Sequence, residues 1–347
     1  MAILTTSIAI DPGTEYTRIY RVGKGLVLSE PSVCAVSAPD GKPVCFGTAA
    51  LELLGRTPGK MTMEAPINGG VISEVKLTSD MLADFVDRAT GKSFIKRMQA
   101  VVCVPAKASE LESTAMEEAV KNAGVFRIKL IEKPLASAIG AGLPVDQYRG
   151  SMVCDMGAGT ADIAILSCGG VVTARSIRTA GREMDLSLIR MLRETRGIAI
   201  GERTASKLKQ ELACASEPSE RTVTIRGRSM ATGLPASCEI NAKEVCIAIR
   251  PMIQNIMLAI SETLSETPPE LAGDLLDSGI MLTGGVARME GLAKCVAAAT
   301  GLRVTVADDP ELCAVLGAGK AIERMTESRI YVPGLPALPV RGSADFN

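Results

Sequence analysis

Two short stretches of this chain bring together the residue types that handle phosphate. Ser7-Ile-Ala-Ile-Asp11-Pro-Gly-Thr and Ser151-Met-Val-Cys-Asp155-Met-Gly-Ala-Gly-Thr each run from apolar residues into an aspartate, a glycine turn and a threonine. Alternating residues follow each, Thr17-Arg-Ile-Tyr in the first and Asp162-Ile-Ala-Ile-Leu in the second. Each stretch therefore reads as a strand, a tight turn and a second strand, with the aspartate at the end of the first strand. Backbone N–H groups in such turns form anion-binding nests, and an aspartate beside each can hold Mg²⁺ through water, neutralising phosphate charge. A third turn, Leu282-Thr-Gly-Gly, also follows an apolar run. One Asp-x-Gly-Thr carries little information, but two in the same strand context plus Thr-Gly-Gly make a specific signal. Three such turns can meet around one nucleotide.

The intervening sequence supplies elements to position them. Thr78 to Ala89 sets Met81, Leu82, Phe85, Val86 and Ala89 on one helical face, and Gln99-Ala-Val-Val-Cys-Val is a buried strand stopped by Pro105. Ser109 can cap a helix carrying Leu111, Ala115, Ala119 and Ala123, which Gly124 ends. A strand through Leu130 and Ile131 meets Pro134, which suits the first turn of a helix from Leu135 to Gly142. Further helices are expected at Met184 to Arg196, Glu202 to Ala213 and Ala242 to Glu266, with strands near Thr222 to Arg228 and at Leu302 to Val306. This alternation argues an α/β fold, and the repeated hairpin argues two related halves. Residues 331–347 show no periodic pattern and read as a tail.

Composition narrows the chemistry. The 347 residues are 47% hydrophobic, enough for two domains with sizeable cores. With no histidine, the chain cannot build a Ser-His-Asp or Cys-His catalytic group, a histidine metal site or a histidine pH switch. The 38 Lys+Arg against 39 Asp+Glu leave no general basic field, and no local basic patch favours nucleic acid. The ten cysteines are scattered singly, mostly in apolar runs, as buried small hydrophobes in a reducing cytoplasm would be. No signal peptide is apparent, and no stretch reads as a membrane span of roughly 20 apolar residues.

Taken together, these segments resemble the actin-like ATPases, and within that superfamily the MreB-like rod-shape-determining proteins. The resemblance is carried by Ile10-Asp-Pro-Gly-Thr, Gly25-Leu-Val-Leu-Ser-Glu-Pro-Ser-Val, Leu54-Gly-Arg-Thr-Pro, Leu130-Ile-Glu-Lys-Pro-Leu-Ala-Ser-Ala-Ile-Gly-Ala-Gly-Leu-Pro, Asp155-Met-Gly-Ala-Gly-Thr, Ile200-Gly-Glu-Arg-Thr-Ala, Thr267-Pro-Pro-Glu-Leu-Ala and Leu282-Thr-Gly-Gly, in register from about Ser7 to Arg324. It implies an actin-like fold, with duplicated ribonuclease H-like domains around a nucleotide cleft. One domain would comprise residues 1–144 plus 312–330 and the other 145–311. It also implies ATP with Mg²⁺, held through water by Asp11 and Asp155, and self-assembly into filaments that help determine cell shape.

Residue by residue, the resemblance makes Asp11, Gly13, Thr14, Glu15 and Tyr16 the first phosphate loop, and Asp155, Gly157, Ala158, Gly159 and Thr160 the second. Ser206, Lys207, Leu208 and Lys209 would flank the adenosine; Gly284, Gly285, Val286 and Ala287 would line base and ribose. Thr160 keeps the place of the threonine that assists the catalytic water. The glutamate that orients that water stands directly before the proline in the family pattern; here that position is Lys133, and Glu132 is one residue away, pointing to the opposite face. Loss of a positioned base typically costs about 10²–10⁴ in rate, so hydrolysis is expected to be slow. Other departures line the same pocket: Ser206 for a ribose-contacting glutamate, Val286 and Ala158 for glycines, and Gly181-Arg182 for Gly-Asp. Val286 is expected to cost packing or backbone strain.

At the position of the family's membrane loop stands Lys92-Ser-Phe-Ile-Lys-Arg, where Phe94 and Ile95 ringed by cations suit an anionic lipid surface, or alternatively begin a core strand. The resemblance places the protein in the cytoplasm at the inner face of the cell membrane, with itself, a homologue and cell-wall morphogenesis proteins as partners. Three alternatives stand beside it. A non-hydrolysing paralogue could regulate or co-assemble with another filament protein. A sugar-kinase-like phosphotransferase would share both phosphate loops, but no sugar-cleft aspartate can be located. A chaperone-type ATPase would need a substrate domain beyond Arg324.

Overall fold

The computed structural model describes residues 5–53, 61–91 and 97–327. Its frame is two five-stranded sheets of one design. In the first, Arg127–Glu132, Arg97–Val104 and Thr5–Pro12 run parallel, and Thr5–Pro12 continues antiparallel into Tyr16–Arg21 and Gly25–Pro31. In the second, Val304–Val306, Ile280–Thr283 and Ser151–Met156 run parallel, and Ser151–Met156 continues antiparallel into Ala161–Ser167 and Gly170–Ile177. Each sheet thus has as its middle strand the one that ends in an aspartate, Asp11 or Asp155.

The centres of those strands, Ile8-Ala-Ile and Met152-Val-Cys, are apolar because helices cover both their faces. Ile8 and Ile10 pack with Met81, Leu82, Phe85 and Val86 of the helix Val75–Thr90, while Ala9, between them, turns to the other side. There Ala9, Val101 and Cys103 meet Leu135, Ala138 and Ala318 from two central helices, Lys133–Gly140 and Cys313–Glu327. These two helices approach until backbone touches backbone. A Cβ on Gly140 would collide with the Cys313 carbonyl, and one on Gly317 with the Ala136 carbonyl. Lys320 Nζ then donates to the last carbonyls of the shorter helix, Ile139 O at 3.2 Å and Gly140 O at 3.1 Å.

Local signals explain where helices begin. Ser109 caps Glu110–Asn122 with Glu112 closing the reciprocal bond, and Asn241 does the same for Ala242–Ser265 with Glu244. That second helix corrects the expectation about membrane spans: at 24 residues and mean hydropathy 1.3 it is long and apolar enough to cross a bilayer. Its buried stripe, Val245, Ile249, Ile253, Ile256 and Ile260, instead packs under the second sheet. The strand expected near Thr222 to Arg228 is present as Thr222–Ser229, in one of two small three-stranded sheets whose other strands carry no clear sequence signal. One joins Ile198–Ala199, Thr222–Ser229 and Pro235–Asn241; the other joins Pro43–Phe46, Cys34–Ser37 and Met61–Glu64. Leu54-Gly-Arg-Thr-Pro, Phe94, Ile95 and the tail 331–347 lie outside the described residues.

Candidate functional site

The two hairpins close by the same hydrogen bond. Gly13 N donates to Tyr16 O at 3.1 Å, and Gly157 N donates to Thr160 O at 2.9 Å, so Asp11 and Asp155 occupy equivalent positions two residues before each turn. Both carboxyls are buried, at 3% and 2% exposure, and both face a cavity at the carboxyl ends of the middle strands. Thr14 lies directly against Gly159 across this cavity, and its hydroxyl accepts from Gly70 N at 3.1 Å. A wider space continues outward, sharing Glu15, Tyr16, Arg18, Gly157, Ala158 and Gly285 with the inner one.

The helix Lys133–Gly140 starts at the floor of the inner cavity, with Pro134 in its first turn. Residues four apart on a helix share a face. Lys133 and Ser137 accordingly reach the two aspartates: Lys133 Nζ lies 3.4 Å from Asp11 Oδ1, and Ser137 Oγ donates to Asp155 Oδ2 at 2.6 Å. The lysine does not swing to solvent; its side chain is 17% exposed. Burial works against its charge, but Asp11, Asp155 and Asp162 outweigh burial and raise its pKa above the ordinary lysine value. Burial pushes Asp155 up to about 6 in spite of Lys133 and the Ser137 hydroxyl. Burial likewise raises Asp162, whose oxygens accept from Thr160 Oγ1 at 2.8 Å and Ala106 N at 3.0 Å.

Glu132 is absent from this group. Its Oε1 accepts from Lys107 N at 3.1 Å, on the other side of the strand end. Thr160 is buried at the cavity wall with its hydroxyl turned to Asp162.

In the wider space the helix Glu202–Leu212 presents Ser206, Lys209 and Gln210. The residues between them face elsewhere, because successive side chains on a helix are about 100° apart. Leu208 packs in the core of the second sheet, and Lys207 is exposed and lines neither space, which corrects their expected place beside an adenosine. Lys209 Nζ is already engaged, 2.8 Å from Asp185 Oδ1 and donating to Gly181 O at 2.7 Å. Burial nevertheless pushes Asp185 up to about 6. The helix Gly181–Arg196 opens by donating Gly181 N to Gly157 O and Arg182 N to Ala158 O, at 3.1 and 2.8 Å, which fastens it to the second loop.

Among Gly284, Gly285, Val286 and Ala287, the first two line the inner cavity, Val286 lines the wider one, and Ala287 turns into the core. The strain expected at Val286 is not found, since this residue is not in the left-handed region; Gly284, at φ 80°, makes the turn. Val286 packs instead against Gly181. Sequence reasoning passed over Arg18, which lines both spaces, stacks 5.4 Å over Tyr16 and keeps a buried Nε without a hydrogen-bond partner. Its hairpin register, directly across from Asp11, was the signal that could have found it.

The carboxylates do not fit the expected water-held Mg²⁺. Asp11 is paired with an ammonium, Asp155 with a hydroxyl, and Asp162 with a hydroxyl and an amide. No cluster of three or more acidic or cysteine side chains suited to a metal ion occurs among the described residues.

The profile of the MreB/Mbl protein family matches residues 5–330. The chain is 39% identical over 327 residues to the cell shape-determining protein MreB of Escherichia coli K12, covering 92% of this chain and 94% of that one. To the cell shape-determining protein Mbl of Bacillus subtilis it is 37% identical over 319 residues, covering 92% and 96%. Among solved structures, MreB 5 of Spiroplasma citri bound to AMPPNP superposes with a TM-score of 0.87 at 30% identity, covering 93% and 98%. A MamK double helical filament superposes at 0.79 with 21% identity, a likeness of fold.

Proposed function

The chain belongs to the MreB/Mbl protein family, and on that premise we propose that it is an ATP-binding cytoskeletal subunit that polymerises and takes part in bacterial cell-shape determination. The observation that carries this reading is the meeting of two equivalent glycine turns, each two residues beyond a buried aspartate, over one cavity. Backbone N–H groups of those turns bind phosphates, and the wider space beside Ser206, Lys209 and Val286 takes the nucleoside. The relative solved with AMPPNP supports a triphosphate as the ligand. The division into residues 1–144 with 312–330 and residues 145–311 belongs to the same proposal, and the identical strand order of the two sheets supports it.

Hydrolysis in this reading is slow or absent. Thr160 lines the cavity with its hydroxyl on Asp162, but the residue at the start of the Lys133–Gly140 helix is an ammonium, which attracts phosphate and cannot accept a proton from water. Glu132 is held at Lys107 and does not replace it. High-speed pelleting and negative-stain microscopy with and without ATP test the polymer; filaments with ATP and little phosphate release are expected. Absence of both nucleotide binding and polymer removes the proposal.

Association with the inner face of the cell membrane rests on the sequence Lys92-Ser-Phe-Ile-Lys-Arg, whose Phe94 and Ile95 would enter an anionic lipid surface. Liposome co-sedimentation of the double variant Phe94→Ser, Ile95→Ser is expected to fall well below that of the unsubstituted chain. Equal sedimentation would discard this loop as the anchor.

A further inference from the structure

The phosphate end of the cleft carries a cation of its own. Lys133 Nζ stands 3.4 Å from Asp11 Oδ1 in the first half and 3.9 Å from where a Cβ on Gly157 of the second loop would lie. It is therefore placed between the two phosphate turns and not beside only one of them. Its stem starts at the first residue of a helix that also holds Asp155 through Ser137, so the ammonium is delivered by a rigid element.

The charge count makes the point sharper. Three buried carboxylates, Asp11, Asp155 and Asp162, and one ammonium leave two net negative charges. A glutamate in place of the lysine would make four carboxylates, and a divalent cation would bring that set back to the same two. A hydrated divalent ion placed here as well would sit against a fixed positive charge in a buried site, where screening by water is weak. Asp155 Oδ2 and both oxygens of Asp162 already accept hydrogen bonds from Ser137, Thr160 and Ala106, and Asp11 Oδ1 faces the ammonium itself.

We propose that Lys133 is a tethered substitute for the divalent cation, so that this chain binds nucleoside triphosphate with little dependence on Mg²⁺. The inference rests on the nucleotide-binding reading of the cleft and goes further by stating what neutralises the phosphates. Affinity for a fluorescent ATP analogue, measured at matched ionic strength with excess Mg²⁺ and with EDTA, tests it. The unsubstituted chain is expected to change by less than about threefold between the two conditions, whereas Lys133→Glu is expected to weaken by more than about tenfold on chelation. A loss of about tenfold or more by the unsubstituted chain in EDTA overturns the substitution, while leaving the nucleotide reading intact. Absence of binding under both conditions overturns the nucleotide reading and the inference with it. The unsubstituted chain alone decides the outcome if Lys133→Glu does not fold, and Lys133→Gln then serves as the uncharged comparison, expected to gain Mg²⁺ dependence in thermal-shift measurements with ATP.

Discussion

Lys133 and its three aspartates set what single residues do in this cleft. Restoring the carboxylate, Lys133→Glu, is expected to raise phosphate release at least about tenfold in the presence of Mg²⁺, a small part of the range a positioned base supplies. No increase in a phosphate-release assay would mean that Ser206 and Val286 limit turnover instead. The buried acids also predict a pH profile. Asp155 and Asp185 ionise at about 6 in the folded protein against an ordinary 3.8. Between those values the folded state keeps protons that the unfolded chain has lost, so stability falls as pH rises and levels off above about 6. Glu30, Glu112 and Glu311 are held below the ordinary 4.5 and act only beneath it. Stability of the nucleotide-free protein, followed by its melting temperature, is therefore expected to decline from about pH 5 to about pH 6, by at most about 1.4 kcal/mol per pH unit for each acid, and less steeply in Asp185→Asn. The lysine itself was legible, because it breaks a recognisable pattern one residue before a proline. Arg18 was not singled out, because its role depends on a hairpin register and not on a motif.

At the scale of elements, the joint between the helices Lys133–Gly140 and Cys313–Glu327 is the most exacting. Any side chain at position 317 meets the Ala136 carbonyl. Gly317→Val is expected to cost about 1–3 kcal/mol or more, read as a lowered midpoint in urea unfolding, since a filled close contact must push backbones apart. Removing a cap is milder: Asn241→Ala is expected to cost about 1 kcal/mol by the same measurement. The elements with strong local signals were readable, among them the Ser109 capping box, the Pro134 start and the apolar face of Val75–Thr90. The strands Cys34–Ser37 and Pro43–Phe46 were not, because four residues are too few to show a period, nor was Pro235–Asn241, which opens on a proline and carries few apolar residues. Leu208 misled for a related reason: a run of four residues on a helix spans nearly a full turn, so some of its members face the core.

Across the whole molecule, the cleft is tied from both sides. Ala106 N donates to Asp162, Ser137 Oγ donates to Asp155, Thr14 rests on Gly159, and Arg178 pairs with Glu112 at 3.0 Å. Asp162→Ala removes the acceptor for a buried amide and for Thr160, and is expected to cost about 1–3 kcal/mol and to enlarge the radius of gyration in small-angle scattering. An unchanged radius would mean that the Thr14 and Ser137 contacts suffice. The duplicated plan was visible in the sequence because both halves keep the aspartate and glycine turn. The way the halves meet was not, since it depends on bonds between residues 56 apart, as in Ala106 and Asp162, or on two helices far separated along the chain.

The lysine at the floor of the cleft also bears on the thermodynamics of any polymer the chain forms. A subunit that binds its ligand but does not break it down releases no chemical energy, and detailed balance then requires both ends of a filament to share one critical concentration. Such a polymer cannot grow at one end while shrinking steadily at the other. Its length follows subunit and ligand concentrations alone, and directional turnover has to be driven by something outside it.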